Sequence, residues 1–267
     1  VSARVDAPAP RAGFAHAVGA EWVKFRSLRS TWATLAGLFA VALGVTALSM
    51  GSARELHAET LAGGDVWDPT NVSLTSYLVA QLVIGVLGIL VVTSEYATGL
   101  IQTSLAATPA RARLLGAKVV LAAAVSLVAG QALAFAAFSL GQLLLRAQDV
   151  PSASLGDPGV LAAVTGGGLY LAAIALLSVG LGALLRATAG ALATLVGIVF
   201  LVPAMAGLLP SWLQGLVHYW PSTGAAAVMA VAPVPGEPDP WLNLGGLYLG
   251  VAAVLAAAVV VFRRRDV

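Results

Sequence analysis

Cysteine is absent from the 267 residues, so disulfides, thiolate metal sites and cysteine nucleophiles are excluded. Charge is scarce: 10% of residues are charged and 59% are hydrophobic, where soluble domains carry roughly 25% charged residues. A chain this apolar cannot hide its surface inside one water-soluble globule, and a bilayer is its natural solvent. Lysine is almost missing. Lys24 follows Val23 and Lys118 follows Ala117, so neither can stand in a Gly-Lys-Ser/Thr phosphate loop, and the chain has no ATPase of that kind. Histidine occurs only as His16, His57 and His218, far apart and without metal-ligand spacing. No catalytic constellation and no metal- or cofactor-binding group is expected in this chain. The first thirty residues carry Pro8, Pro10, Glu21, Lys24, Arg26 and Arg29 and no apolar signal core, so the first hydrophobic segment is expected to stay as an anchor.

What is present is a series of apolar runs. A helix crosses a bilayer with about 20 mostly apolar residues. Six runs qualify, at about 31–50, 74–93, 114–145, 159–185, 190–209 and 241–262. The third would be about 48 Å long as one helix, so it must tilt, kink or project. Pro203 should kink the fifth. The stretch 210–240 is also apolar, but Pro210 and Pro221 cut it too short to span, and it reads as an external re-entrant hairpin. A seventh helix there is the topological alternative. The fold class is therefore all-α: a polytopic bundle of six transmembrane helices forming one domain over 14–267 behind a flexible tail at 1–13.

Charge sets the orientation. Six crossings gather Arg4, Arg11, Lys24, Arg26, Arg29, Arg111, Arg113, Lys118, Arg186 and Arg263 to Arg265 on one side, against Arg54 and Arg146 on the other. Both chain ends are expected in the cytoplasm of a cell bounded by a plasma membrane, and seven crossings would spoil the asymmetry. The spans contain Gln81, Gln131 and Gln142, and no charge falls near a centre. Proton or sodium coupling is thus poorly supported. Glu95 and Lys118 read as lying at the cytoplasmic edge. The glycines at 166–168, 180 and 182 read as close helix packing.

Before the first span, Phe14, Val18, Trp22, Phe25, Leu28 and Trp32 recur at helical spacing, with Glu21, Lys24 and Ser27 on other faces. This is the pattern of an amphipathic helix at 14–30 in the membrane interface. Between the second and third spans, Glu95 closes a span, a helix-capable stretch follows, and Pro109 turns the chain back through Arg111 and Arg113. These features resemble the permease subunits of ABC exporters of the second type, in their compact bacterial form. The stretch Glu21-Trp22-Val23-Lys24-Phe25-Arg26-Ser27-Leu28-Arg29 resembles that family's interface helix. Glu95-Tyr96-x-x-Gly99, then Thr103 and Pro109-x-Arg111, resembles its first cytoplasmic loop, with Arg113 a further candidate docking residue. Pro221-Ser222 resembles its external re-entrant region. Ser94 and Leu100 depart, standing where many members carry glycine and threonine.

The resemblance implies a coupling helix within 95–113 that docks on a separate ATPase subunit, present in two copies and carrying the ATP and Mg. It also implies a second permease subunit, identical or not, and an amphipathic substrate such as a drug, peptide antibiotic or lipid-like molecule. Glu95 is then the residue expected to bond to the interface helix or the loop and transmit motion. Nucleic acid is not an expected partner. A carrier or channel working alone, or a membrane-embedded enzyme, sensor or immunity protein, is the alternative reading.

Overall fold

The computed structural model describes residues 13–108, 110–210, 212, 215–232 and 238–264. The expected tail at 1–13 falls almost wholly outside them. Among the described residues there is no strand. In chain order the helices are α1 (Phe14–Ser27), α2 (Arg29–Ser49), α3 (Ala53–Ala62), α4 (Pro69–Leu74), α5 (Tyr77–Ala97), α6 (Leu100–Ala107), α7 (Arg111–Ala147), α8 (Val160–Leu185), α9 (Thr188–Val196), α10 (Val202–Ala204) and α11 (Pro240–Arg264). Five helical runs are long and apolar enough to cross a membrane: Arg29–Ala62, Pro69–Ala97, Arg111–Ala147, Val160–Leu185 and Pro240–Arg264.

The centre of the bundle is α8. Its sequence is apolar on every side, which suits a helix surrounded by others rather than one with a single buried stripe. The helices α5, α7 and α11 pack around it. Small residues permit the close approach: a methyl on Gly88 of α5 would run into the Ala175 carbonyl, and one on Gly166 of α8 would lie 2.7 Å from a Val228 methyl. The packing reading of the α8 glycines therefore has a direct steric basis. By contrast, α2 and α11 leave Leu48, Leu242 and Leu249 largely exposed, apolar surface that lipid would solvate.

Two polar belts bracket this apolar slab. One contains Lys118, the other Gln142, both on α7. Their separation in chain, from 118 to 142, is about 36 Å along a helix, slightly more than a hydrocarbon core of about 30 Å. No charged residue of α7 lies between them. The long third run is one continuous 37-residue helix that projects beyond the slab rather than breaking.

The far belt is stitched by side chains. Gln142 Nε2 donates to the Pro69 carbonyl and Ser73 Oγ, both at 2.9 Å, and its Oε1 accepts from the Ala153 amide at 2.7 Å. Asp68 caps α4 through its Oδ1, while its Oδ2 accepts from the amides of Val231 and Ala232. Deeper in the slab, buried Gln81 is satisfied by the Tyr170 hydroxyl at 2.5 Å.

The fifth expected span is the part that departs most from a simple helix. From Thr188 the chain is α-helical to Val196, widens into a π turn over Gly197–Leu201, and ends in α10. Over 210–240, short turns of 3-10 and π helix occur at Gly215–Tyr219, Pro221–Ala225 and Ala226–Met229; the second packs on α11 and the third on α8 and α11.

Candidate functional site

A cluster of four charges sits where α1, α5, α6 and α7 meet. Lys118 Nζ donates to Glu21 Oε2 and Glu95 Oε1, each at 2.8 Å, and to the Val91 carbonyl at 3.2 Å. Lys24 Nζ donates to Glu21 Oε1 at 2.7 Å, Glu95 Oε1 at 2.8 Å and Ser104 Oγ at 3.0 Å. Each ammonium has three protons, and all three have acceptors. The cluster is neutral as a unit, two carboxylates against two ammoniums. A buried charge is tolerable only when paired and hydrogen-bonded in this way. The side chain of Lys118 is 2% exposed and that of Lys24 is 42% exposed, so the first is locked inside and the second forms the rim.

Local sequence positions each member. Glu21 and Lys24 are three apart on α1 and share its inner face with Ala17 and Phe25, all of which except Lys24 are buried. Phe14 lies beside Gly116, Glu21 bonds to Lys118, and Phe25 clusters with Leu121. Eleven residues of α1 thus advance over five of α7, so α1 crosses α7 steeply instead of running along it. The aromatic pattern of α1 divides accordingly. Phe25 turns inward, while Phe14 and Trp22 remain about half exposed, with Trp22 stacked on Phe25 at 6.0 Å.

At the end of α5, Gly99 adopts φ 72°, a left-handed conformation that L side chains resist, and so turns the chain into α6. Gly99→Ala should lower stability by about 1–2 kcal/mol, read as an earlier thermal unfolding transition in detergent, with the neighbouring exposed Thr98→Ala close to neutral.

The structure brings Glu21, Lys24 and Glu95 together, all three expected from the sequence. It places Tyr96 next to them, its ring beneath the Arg186 guanidinium at 5.2 Å. Thr103 is on the exposed face of α6, Arg111 is half-buried, and Arg113 is exposed at the start of α7. Arg26 and Arg29 are exposed and stand apart from the cluster. Pro109 lies outside the described residues.

The sequence places Glu95 and Lys118 at the cytoplasmic edge of their spans. Both are buried within the protein at that end of the bundle, Glu95 at 6% and Lys118 at 2% exposure, with Glu21 of α1 bonded to Lys118. Lys118 was not singled out. One signal did exist: of fourteen basic residues only two are lysine, and both meet in this cluster. Arg186 was missed too. It ends α8 at φ 56°, and the following Thr188 hydroxyl donates to Thr93 Oγ1 of α5 at 2.9 Å.

Burial alone would lower the Lys24 pKa, but its hydrogen bonds to Glu21 and Glu95, and their charges, outweigh this and raise it. Its ion pairs therefore stabilise the fold fully below the unfolded lysine value of about 10.4 and lose effect as pH rises through the higher folded value. The contribution of Lys24 to the unfolding midpoint should therefore be full and independent of pH between about pH 6 and 9, and should fall away above about pH 10.4. A Lys24→Met variant should lack that alkaline component.

At the opposite end of the bundle a cavity of about 1040 Å3 is bounded by Gly159, Ala163, Gly207, Val228 and Trp241. Among the described residues no group of three or more His, Asp or Glu side chains is placed to hold a metal. No protein-family model matches the chain, and no curated protein matches it in sequence.

Proposed function

We propose that this chain is the membrane-spanning permease subunit of an ABC exporter of the second type. Two such subunits enclose a path for an amphipathic substrate, and a separate ATPase subunit in two copies supplies the power. The single observation that carries this reading is the four-charge cluster. It fastens the interface helix α1 to the end of α5, to α6 through Ser104, and to α7. A push on α6 therefore reaches two spanning helices and α1 through charge-assisted bonds. The outer face of α6, with Leu100, Gln102, Thr103 and Ala106, is exposed and uncharged, a surface suited to docking on a partner.

The path of the chain supports a six-crossing topology. The helix α8 ends beside the cluster, where Thr188 bonds to Thr93, whereas Gly207 lines the far-end cavity with Trp241 of α11. The 17 residues Thr188–Ala204 thus run from one end of the bundle to the other, about 25 Å of helix. The end of α11 returns to the cluster end, where Phe262 packs with Ile101 and Leu115. The helix α1 and the end of α11 then lie at the same end of the bundle, which we read as the cytoplasmic side.

The test is co-expression with each ATPase subunit of the source genome, gentle solubilisation, and assay of ATPase activity and export. A stable complex whose export falls at least about tenfold in Glu95→Gln, at matched amounts of folded protein, is the expected result. That loss corresponds to about 1.4 kcal/mol of coupling. A folded chain that captures no ATPase, or a Glu95→Gln variant that exports like the parent, overturns the proposal.

A further inference from the structure

We propose that the elbow between α1 and α2 is a headgroup site for an anionic phospholipid. The helix breaks at one residue, Leu28, whose backbone is extended at φ −83° and ψ 117°. Arg26 and Arg29 stand on either side of this break, and neither has a carboxylate partner among the described residues. Glu21, the acid nearest in sequence, already spends one oxygen on each lysine.

Each arginine is one helical turn from an exposed tryptophan. Arg26 follows Trp22 by four residues and Trp32 follows Arg29 by three, which places the members of each pair on a common face. The tryptophans are 44% and 52% exposed. The Trp32 indole N–H donates to the Arg26 carbonyl at 3.1 Å and thereby closes the elbow, bringing the two pairs together. Leu28, at 51% exposure, sits between them.

This is the chemistry of a lipid contact. Indole rings favour the headgroup level of a bilayer, and guanidinium groups grip phosphate oxygens with forked hydrogen bonds. The depth is also right. The elbow follows directly on the helix that carries Glu21, and the belt containing Glu21 and Lys118 marks one boundary of the apolar slab. The complementary occupant is a lipid with a net negative headgroup. The inference does not depend on the transport reading: it requires only that the chain sits in a bilayer.

The experiment counts lipids retained by the purified full chain in native mass spectrometry, after equilibration with vesicles of phosphatidylcholine and phosphatidylglycerol at four to one. The expected result is preferential retention of phosphatidylglycerol, weakened about fivefold by each of Arg26→Gln and Arg29→Gln and lost in the double variant. High salt should weaken it as well. Both arginines are exposed, so the variants should fold, and gel filtration checks this. Arg263→Gln combined with Arg264→Gln, at the end of α11, should leave retention unchanged. Equal loss in that control would mean a diffuse positive surface and would overturn the site. So would unchanged retention in the elbow double variant. Displacement of the lipid by inorganic phosphate at millimolar concentration would replace the lipid with a free anion as occupant, and would also overturn the proposal.

Discussion

Lys118→Met is expected to destabilise the folded chain by about 3–5 kcal/mol, the usual effect of removing one partner from a buried ion pair. Methionine fills similar volume and keeps most of the packing against α1, so the loss is electrostatic. Without Lys118, Glu21 and Glu95 face each other in a site that is almost fully closed, and Lys24 alone must neutralise both. Lys24 is at the rim and already uses its three protons. The measurement is chemical or thermal unfolding in a fixed detergent, compared with Lys24→Met, whose partly exposed position predicts a clearly smaller effect. Arginine at 118 should rescue only in part, because a planar fork cannot reproduce three bonds diverging from one atom.

The stronger form of this prediction is non-additivity. Glu95→Gln alone leaves two ammoniums against one carboxylate, and Lys118→Met alone leaves two carboxylates against one ammonium. Together they leave the neutral pair Glu21–Lys24. The double variant should therefore be destabilised by less than the sum of the single variants, with a coupling energy on the order of 1–3 kcal/mol. Simple additivity would mean that the charges act independently, contrary to the shared Glu95 Oε1 seen here.

The limits of sequence reading follow from the same residues. Apolar runs were legible because a bilayer demands about 20 of them in a row, and five appear as long apolar helices close to their expected places. The helix α1 was legible as a period of aromatics, and Glu95 drew attention only through a family resemblance. Lys118 was not, because a lysine at the start of an apolar run looks the same whether it faces headgroups or protein. What decides is α1, whose Glu21 lies 97 residues earlier in the chain. No local pattern carries that contact. The continuity of α7 was ambiguous for a related reason: length alone does not choose between a kink and a projection. The disrupted fifth run had a visible marker in Pro203, but the π turn before it is completed by a side chain further along the chain.

That side chain is Trp220, and its replacement should have the second-largest effect. In the π turn the Val202 amide donates to the Gly197 carbonyl, one residue beyond the α-helical partner. The Ile198 carbonyl has then lost Val202 as a donor. Its own π partner would be residue 203, which is proline and has no N–H. An orphan carbonyl in an apolar slab is costly. The Trp220 indole N–H fills the vacancy, at 2.5 Å from Ile198 O. Trp220→Phe keeps a ring against the helix but removes the donor, and should destabilise by about 1–3 kcal/mol. A second substitution separates this account from simple loss of packing. Pro203→Ala restores an N–H at the position where the Ile198 carbonyl needs one. In that background Trp220→Phe should cost less than in the parent. Equal losses in both backgrounds would show that Trp220 acts through its ring area, and the hydrogen-bond explanation of the π turn would fail.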